Sequence, residues 1–257
     1  ILCALDWMSW QINFLMLDAI VFINKLQFLI YPEPKHREVS AAQTTPFNLQ
    51  QIKNYLAYFV QSPLLAAWLA VLLSFKIADG LAGPLLKPLM VDLGLSFSQI
   101  GLYVTMLGAC AALIGAGLAG YSLKLIRRAT DLVLYSVLKI FSLAAYTWLS
   151  FQYENQHSIQ PWLIYLINAF EDMTSSMLLV VMLTLVMQYS RKHLAGTDFT
   201  FQVALMATVS GGLYSVSGLL GDWLGYFNYL CMIVVIAMLS LWFIFKWRGI
   251  AMHSDLS

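Results

Sequence analysis

The residues best placed to do chemistry are charges embedded in long apolar stretches. In KIADGLAGPLLKPL, Lys76 precedes Asp79 by three residues, so the two share one face if the segment is helical. Lys76, Gly80, Gly83 and Lys87 extend that face in steps of four, three and four. Pro84 and Pro88 remove backbone donors and predict a kink nearby. In NAFEDMTSSML, Asn168, then Glu171 or Asp172, then Ser175 fall on one helical face. Two adjacent carboxylates do not both ionise cheaply in a low dielectric unless a cation lies near, so one of them could bind and release a proton. Lys139 stands alone in a third apolar stretch and needs an acidic partner, for which Glu171 and Asp172 are candidates. Charges in a hydrocarbon environment usually face a cavity or a partner, which suits a solute or ion pathway. The structural alternatives are an ion pair that only fixes helix packing, for Lys76 and Asp79, and simple hydration near an interface, for the Glu171 segment. Counting from Trp162, Glu171 lies about 13 Å deep at about 1.5 Å per residue, which favours a cavity.

Other chemistries lack residues. The four histidines, His36, His157, His193 and His253, fall in predicted loops or the tail, so no histidine relay crosses the apolar spans. Cys3, Cys110 and Cys231 are far apart and sit in apolar surroundings, as small hydrophobes do. There is no HExxH, GxSxG, paired CxxC or Walker sequence, so the reading is not an enzyme and calls for no cofactor or metal.

The elements that must carry these charges follow from composition. Of 257 residues, 60% are hydrophobic and 11% charged, and the mean hydropathy is +0.75. Soluble domains carry about 25% charged residues, so lipid is the solvent this chain fits. With 14 basic against 13 acidic residues, there is no cationic stripe for nucleic acid. A bilayer-crossing helix needs about 20 mostly apolar residues. Seven candidates run over 10–31, 62–90, 98–122, 130–151, 161–188, 199–221 and 226–247. The expected fold is therefore an all-α polytopic membrane bundle.

Loop charges alternate. Lys35, Arg37 and Lys53, then Lys124, Arg127 and Arg128, then Arg191 and Lys192, then Lys246 and Arg248 occupy every second connection. The others hold Asp92, Glu154 and Asp222 and neither Lys nor Arg. Basic loops are retained in the cytoplasm, which puts Ser257 inside and Ile1 outside. The chain opens on Ile1 without a signal sequence, and upstream spans are expected to be missing. Between Pro32 and Gln61, Thr45, Pro46 and the apolar set Phe47, Ile52, Tyr55, Leu56 and Phe59 predict either a short interfacial helix or an extension of the second span. Gly101, Gly108 and Gly115 form a small-residue seam in the third span, and SGGLYSVSGLLGD forms another in the sixth. LDWMSWQINFL before the first span resembles GDWLGYFNYL before the last, a weak repeat of the kind transporters carry. The organisation expected is 1–31 as the last span of an N-terminal half, 32–61 as a cytoplasmic central loop, and 62–257 as a six-span bundle with a cytoplasmic tail.

Two long stretches, FKIADGLAGPLLKPLMVDLGLSFSQIG and NAFEDMTSSMLLVVMLTLVMQYSRKHLAGTDFTFQVAL, resemble the major facilitator superfamily. They are most similar to its branch of muropeptide permeases (AmpG-like) and siderophore importers (RhtX/FptX-like). Lys76 and Asp79 match a K-x-x-D of the family's seventh helix, and Glu171 with Asp172 stands where the family carries acidic residues ahead of a small-residue run. Ala195 to Phe199 matches an A-[AG]-T/S-x-[FY] segment entering the eleventh helix. The inner loop GYSLKLIRRATD keeps Arg127 and Arg128 but lacks the full G-x-x-x-D-R-x-G-R-R pattern. The resemblance implies the C-terminal part of an inner-membrane secondary transporter, with the missing N-terminal half as partner. It implies a small-molecule solute, a siderophore or a muropeptide, and proton coupling. Lys76, Asp79, Lys87, Lys139, Asn168, Glu171, Asp172 and Gln202, which ends the LAGTDFTFQ stretch, are the expected pathway residues. The competing expectation is a non-transporting product or a subunit that supplies helices to a membrane complex.

Overall fold

A computed structural model describes residues 10–30 and 57–254. The described residues form seven long helices: α1 (Trp10–Ile30), α2 (Pro63–Asp92), α3 (Phe97–Leu125), α4 (Arg128–Glu154), α5 (Pro161–Gln188), α6 (Ala195–Leu224) and α7 (Tyr226–Ser254). Helices α2 to α7 are each long and apolar enough to cross a bilayer. The chain is an all-α polytopic membrane bundle. In lipid only helices or closed barrels satisfy every backbone group, and this sequence takes the helical solution.

The helix starts are written locally. Pro63 and Pro161 occupy first-turn positions where no amide partner is needed. Ser96 and Gln99 form a reciprocal capping box that starts α3. Gly225, at φ +75°, turns the chain between α6 and α7 in a backbone conformation that glycine adopts without strain. Glu154 at the end of α4 accepts the Phe227 amide at 3.0 Å, satisfying a free donor at the start of α7. Pro84 and Pro88 do not interrupt α2, which stays helical through both.

In packing order the bundle runs α3, α5, α4, α7, α2, α6, with α5 and α6 touching only slightly. Two apolar clusters fill it. One contains Leu85, Leu89, Val104, Tyr146, Ile164 and Tyr229. The other contains Trp68, Leu72, Leu132, Met182, Leu185 and Trp247. The basic loop residues lie toward the second cluster, where Arg128 donates to Gln188 at 2.7 Å. The acidic ends lie toward the first, where Tyr226 donates to Asp92 at 2.6 Å.

Three sequence expectations need amendment. The third span is not uniform α-helix: Ile100–Met106 is a π-helical stretch, in which the Thr105 hydroxyl takes the Ile100 carbonyl at 3.0 Å. The segment before α2 is no extension of it, because Ser62 is extended (φ −95°, ψ 129°). Residues 57–61 are helical and dock on the bundle, with Phe59 buried and stacked on Phe201 at 5.4 Å. Most of the proposed interfacial helix, with the rest of 31–56, lies outside the described residues. The small-residue seam of α3 works as expected at Gly108 and Gly115, where a methyl group would strike α5. That of α6 is used only in part: Gly221 meets Leu85 and Ser210 meets Gly80, while Gly211, Gly212 and Gly218 face open space.

Candidate functional site

Between the two apolar clusters lies a polar layer, at the middle of each helix that contributes to it. Lys76 and Asp79 come from α2, Lys139 from α4, and Asn168, Glu171, Asp172 and Ser175 from α5. Ser240 of α7 ties into the same level by donating to the Ser74 carbonyl at 3.0 Å.

The charges form an alternating chain. Lys76 Nζ donates to Asp79 Oδ2 at 2.6 Å. Asp79 Oδ1 lies 3.7 Å from Lys139 Nζ, and Lys139 is ion-paired and hydrogen-bonded with Glu171. Lys139 also donates to Ser175, whose hydroxyl donates to Glu171 Oε1 at 2.8 Å. Two cations alternate with two anions, so the chain is neutral as a unit. Its side chains are little exposed: 7% for Lys139, 12% for Glu171, 17% for Lys76 and 31% for Asp79. Burial of this depth is tolerable only when each charge has a partner.

Asp172 belongs to a neighbouring network. Consecutive helical residues point about 100° apart, so Glu171 turns toward α4 and Asp172 toward α3. There Asp172 Oδ2 accepts from Asn168 Nδ2 at 2.7 Å. Asn168 also donates to the Val104 carbonyl at 3.2 Å, in the π-helical stretch, and accepts from Tyr146 at 3.0 Å. Gly108 makes room for this group, since a methyl there would overlap the Asp172 carboxylate. Of the two carboxylates that the sequence left open as partners of Lys139, it is Glu171 that makes the contact.

Lys76, Asp79, Lys139, Asn168, Glu171 and Asp172 thus come together. Lys87 is exposed and makes no ion pair among the described residues. Gln202 does not join the layer. It is fully buried at the basic end, accepting from Trp68 Nε1 at 2.8 Å and donating to the Val186 and Asp198 carbonyls at 3.3 Å. Beside it Arg191 holds Asp198 through three hydrogen bonds of 2.8 to 2.9 Å. These bonds tie Gln202 to the α5–α6 turn, away from the charged layer.

Sequence reasoning missed what α4 contributes besides Lys139. Asp131, Tyr135, Lys139, Ser142, Tyr146 and Ser150 recur in steps of four, four, three, four and four, and all are buried. That period was a readable sign of an inward polar stripe. Two spaces flank the layer. A small cavity of about 30 Å³, lined by Asp79, Lys139, Ser136 and Ser240, has room for about two water molecules, and Ser136 Oγ there has no partner among the described residues. A larger open cleft of about 320 Å³ lies where α5 and α6 part, with Lys76 in its lining. No group of His, Cys, Asp and Glu among the described residues is arranged to hold a metal ion.

The fold and this layer define a multi-pass helical membrane protein with a neutral ion-pair chain at mid-depth. No protein-family model matches the chain. A curated relative, the putative transporter AmpG 4 of Rickettsia conorii, is 22% identical over 147 residues, which is 56% of this chain and 35% of that protein. The matched stretch is thus about a third of that relative's length.

Proposed function

We propose that this chain is the C-terminal part of a secondary transporter of the major facilitator type, with residues 62–257 as its second half. In this reading it imports a siderophore or muropeptide across the inner membrane, driven by protons, with its basic loops and Ser257 cytoplasmic. The observation that carries the proposal is the alternating chain Lys76–Asp79–Lys139–Glu171, buried at the middle of three spans beside an open cleft. Intramembrane charges mark solute and ion pathways, and transporter sites lie near the bilayer midplane between repeated halves. The likeness to a putative transporter supports the same reading. The uncovered faces of α3 and α6 support a further set of helices as partner: of its 30 residues α6 buries only Asp198, Gln202, Met206, Ser217 and Gly221.

Those same faces also favour the second reading, a subunit that lends helices to a membrane complex without transporting. Cells expressing the full-length protein separate the two. Accumulation of a labelled muropeptide or ferric siderophore above the external level, abolished by a protonophore, is expected of the transporter. Absence of uptake for both solutes, with the protein correctly inserted, would refute it.

A further inference from the structure

Lys76 is one end of the ion-pair chain and also, among the described residues, the one charged residue lining the cleft between α5 and α6. Leu179, Leu183, Val203, Met206 and Tyr214 supply most of the remaining wall. Asp79 and Lys139, on the other side of the Lys76–Asp79 pair, line the small cavity. The same two-lysine, two-carboxylate chain therefore touches both spaces, and whatever shifts its pairing at one end is felt at the other.

We infer that the cleft is a binding site for an amphiphile with one anionic head, its carboxylate on Lys76 and its apolar body between α5 and α6, and that it fills together with a proton on Glu171. This deepens the transporter reading and rests on it. Charge balance gives the sequence of events. With the chain closed, Lys76, Asp79, Lys139 and Glu171 sum to zero. An anion placed on Lys76 alone would leave the buried layer with an excess negative charge, which is costly at mid-membrane. A proton taken from water by Glu171 removes that excess. Lys139 then loses its nearest anion and moves fully onto Asp79, now 3.7 Å away. Asp79 no longer needs Lys76, whose ammonium turns to the solute. The loaded layer again holds two cations and two anions, now Lys139 with Asp79 and Lys76 with the solute, and Glu171 is neutral. Solute and proton load together because either alone leaves a buried charge unpaired.

The groups that face Glu171 are consistent with this exchange. From α4, Lys139 pairs with Glu171 and Tyr146 bonds Asn168; from α2, Asp79 lies beyond Lys139 with Lys76 on its far side; α5 itself supplies Ser175, which donates to Glu171, and Asp172, its sequence neighbour. The α3 face opposite α5 offers Gly108, Gly115 and the carbonyls of Val104 and Ala112. Asp172 keeps Asn168 throughout.

The test is binding to the full-length protein in lipid nanodiscs, with empty nanodiscs subtracted. Octanoate is the anionic probe and octanamide its neutral match. Octanoate should bind about tenfold tighter or more, the range of a hydrogen bond to a charged group. Lys76→Gln should erase that preference and Lys76→Arg keep it; Lys139 stays 3.7 Å from Asp79 in either variant, shared there with Glu171. In weakly buffered solution near neutral pH, each octanoate bound should draw about one proton from the medium. Glu171→Gln, neutral from the start, should bind octanoate with no proton uptake. Equal binding of the two probes, a preference that survives Lys76→Gln, or binding without proton uptake in the unaltered protein overturns the inference. None of these readouts requires transport, so loss of cellular uptake with binding intact would count against the transporter reading, and intact uptake with failed binding against the inference.

Discussion

Replacing Lys139 by Met removes the cation shared by two carboxylates while keeping the side chain's length and apolar stem. At 3.7 Å, the attraction to Asp79 alone is about 4 kcal/mol at an effective dielectric of about 20. Glu171 is closer and only 12% exposed, so its loss is at least comparable. Against this stands the desolvation of the ammonium, which the variant no longer suffers. The net cost of breaking a buried pair by removing one partner is about 3–5 kcal/mol, and Lys76, still bonded to Asp79 at 2.6 Å, keeps the value toward the lower end. Lys139→Met should therefore destabilise the protein by about 3 kcal/mol. The main cause is Glu171 left with Ser175 as its remaining partner. The double variant Lys139→Met/Glu171→Gln removes the stranded charge and should recover about 2 kcal/mol of the loss. Equilibrium unfolding of the full-length protein in lipid nanodiscs, across the four members of the cycle, measures both quantities. A Lys139→Met variant as stable as the parent would show that the lysine is not a charged partner there. A double variant no more stable than the single one would show that Glu171 is not what the lysine neutralises.

Four further outcomes are expected. Gly108→Ala should cost about 1–3 kcal/mol through overlap with Asp172, whereas Gly117→Ala, with nothing within 4 Å of the added methyl, should be neutral within about 0.5 kcal/mol; unfolding midpoints compare them. Asp79→Asn should abolish uptake by the full-length protein at normal expression, and normal uptake would make the Lys76–Asp79 pair a packing device only. Glu171→Gln should retain solute exchange down a gradient and lose proton-driven accumulation, and an accumulation that still collapses with a protonophore would place the proton carrier elsewhere. With Cys3, Cys110 and Cys231 replaced, a cysteine at Ser158 should label in intact cells and one at Lys192 should not, as the basic-loop alternation requires; the reverse pattern would invert the topology.

The sequence by itself determined the class of fold and the level of each charge. An 11% charged chain with runs of about 20 apolar residues has one stable state in lipid. Lys76 with Asp79 was legible because pairing at i, i+3 is a property of one helix. Partners on different helices were legible only as alternatives, Glu171 or Asp172 for Lys139. Glu171 and Asp172 are neighbours in sequence, yet α4 claims one and α3 the other, and which claims which depends on how each helix is rotated against the next. Gln202 was grouped with the pathway residues, and only the bundle shows that it sits at the basic end, hydrogen-bonded to Trp68 and the α5–α6 turn. The π-helical stretch of α3 and the parting of α5 from α6 depend on packing between helices, and no local period encodes them. Spacing along the chain fixes what one helix can present. Only the tertiary structure decides which presented groups meet, because a buried charge is stabilised by whichever opposite charge the neighbouring helix holds at its depth.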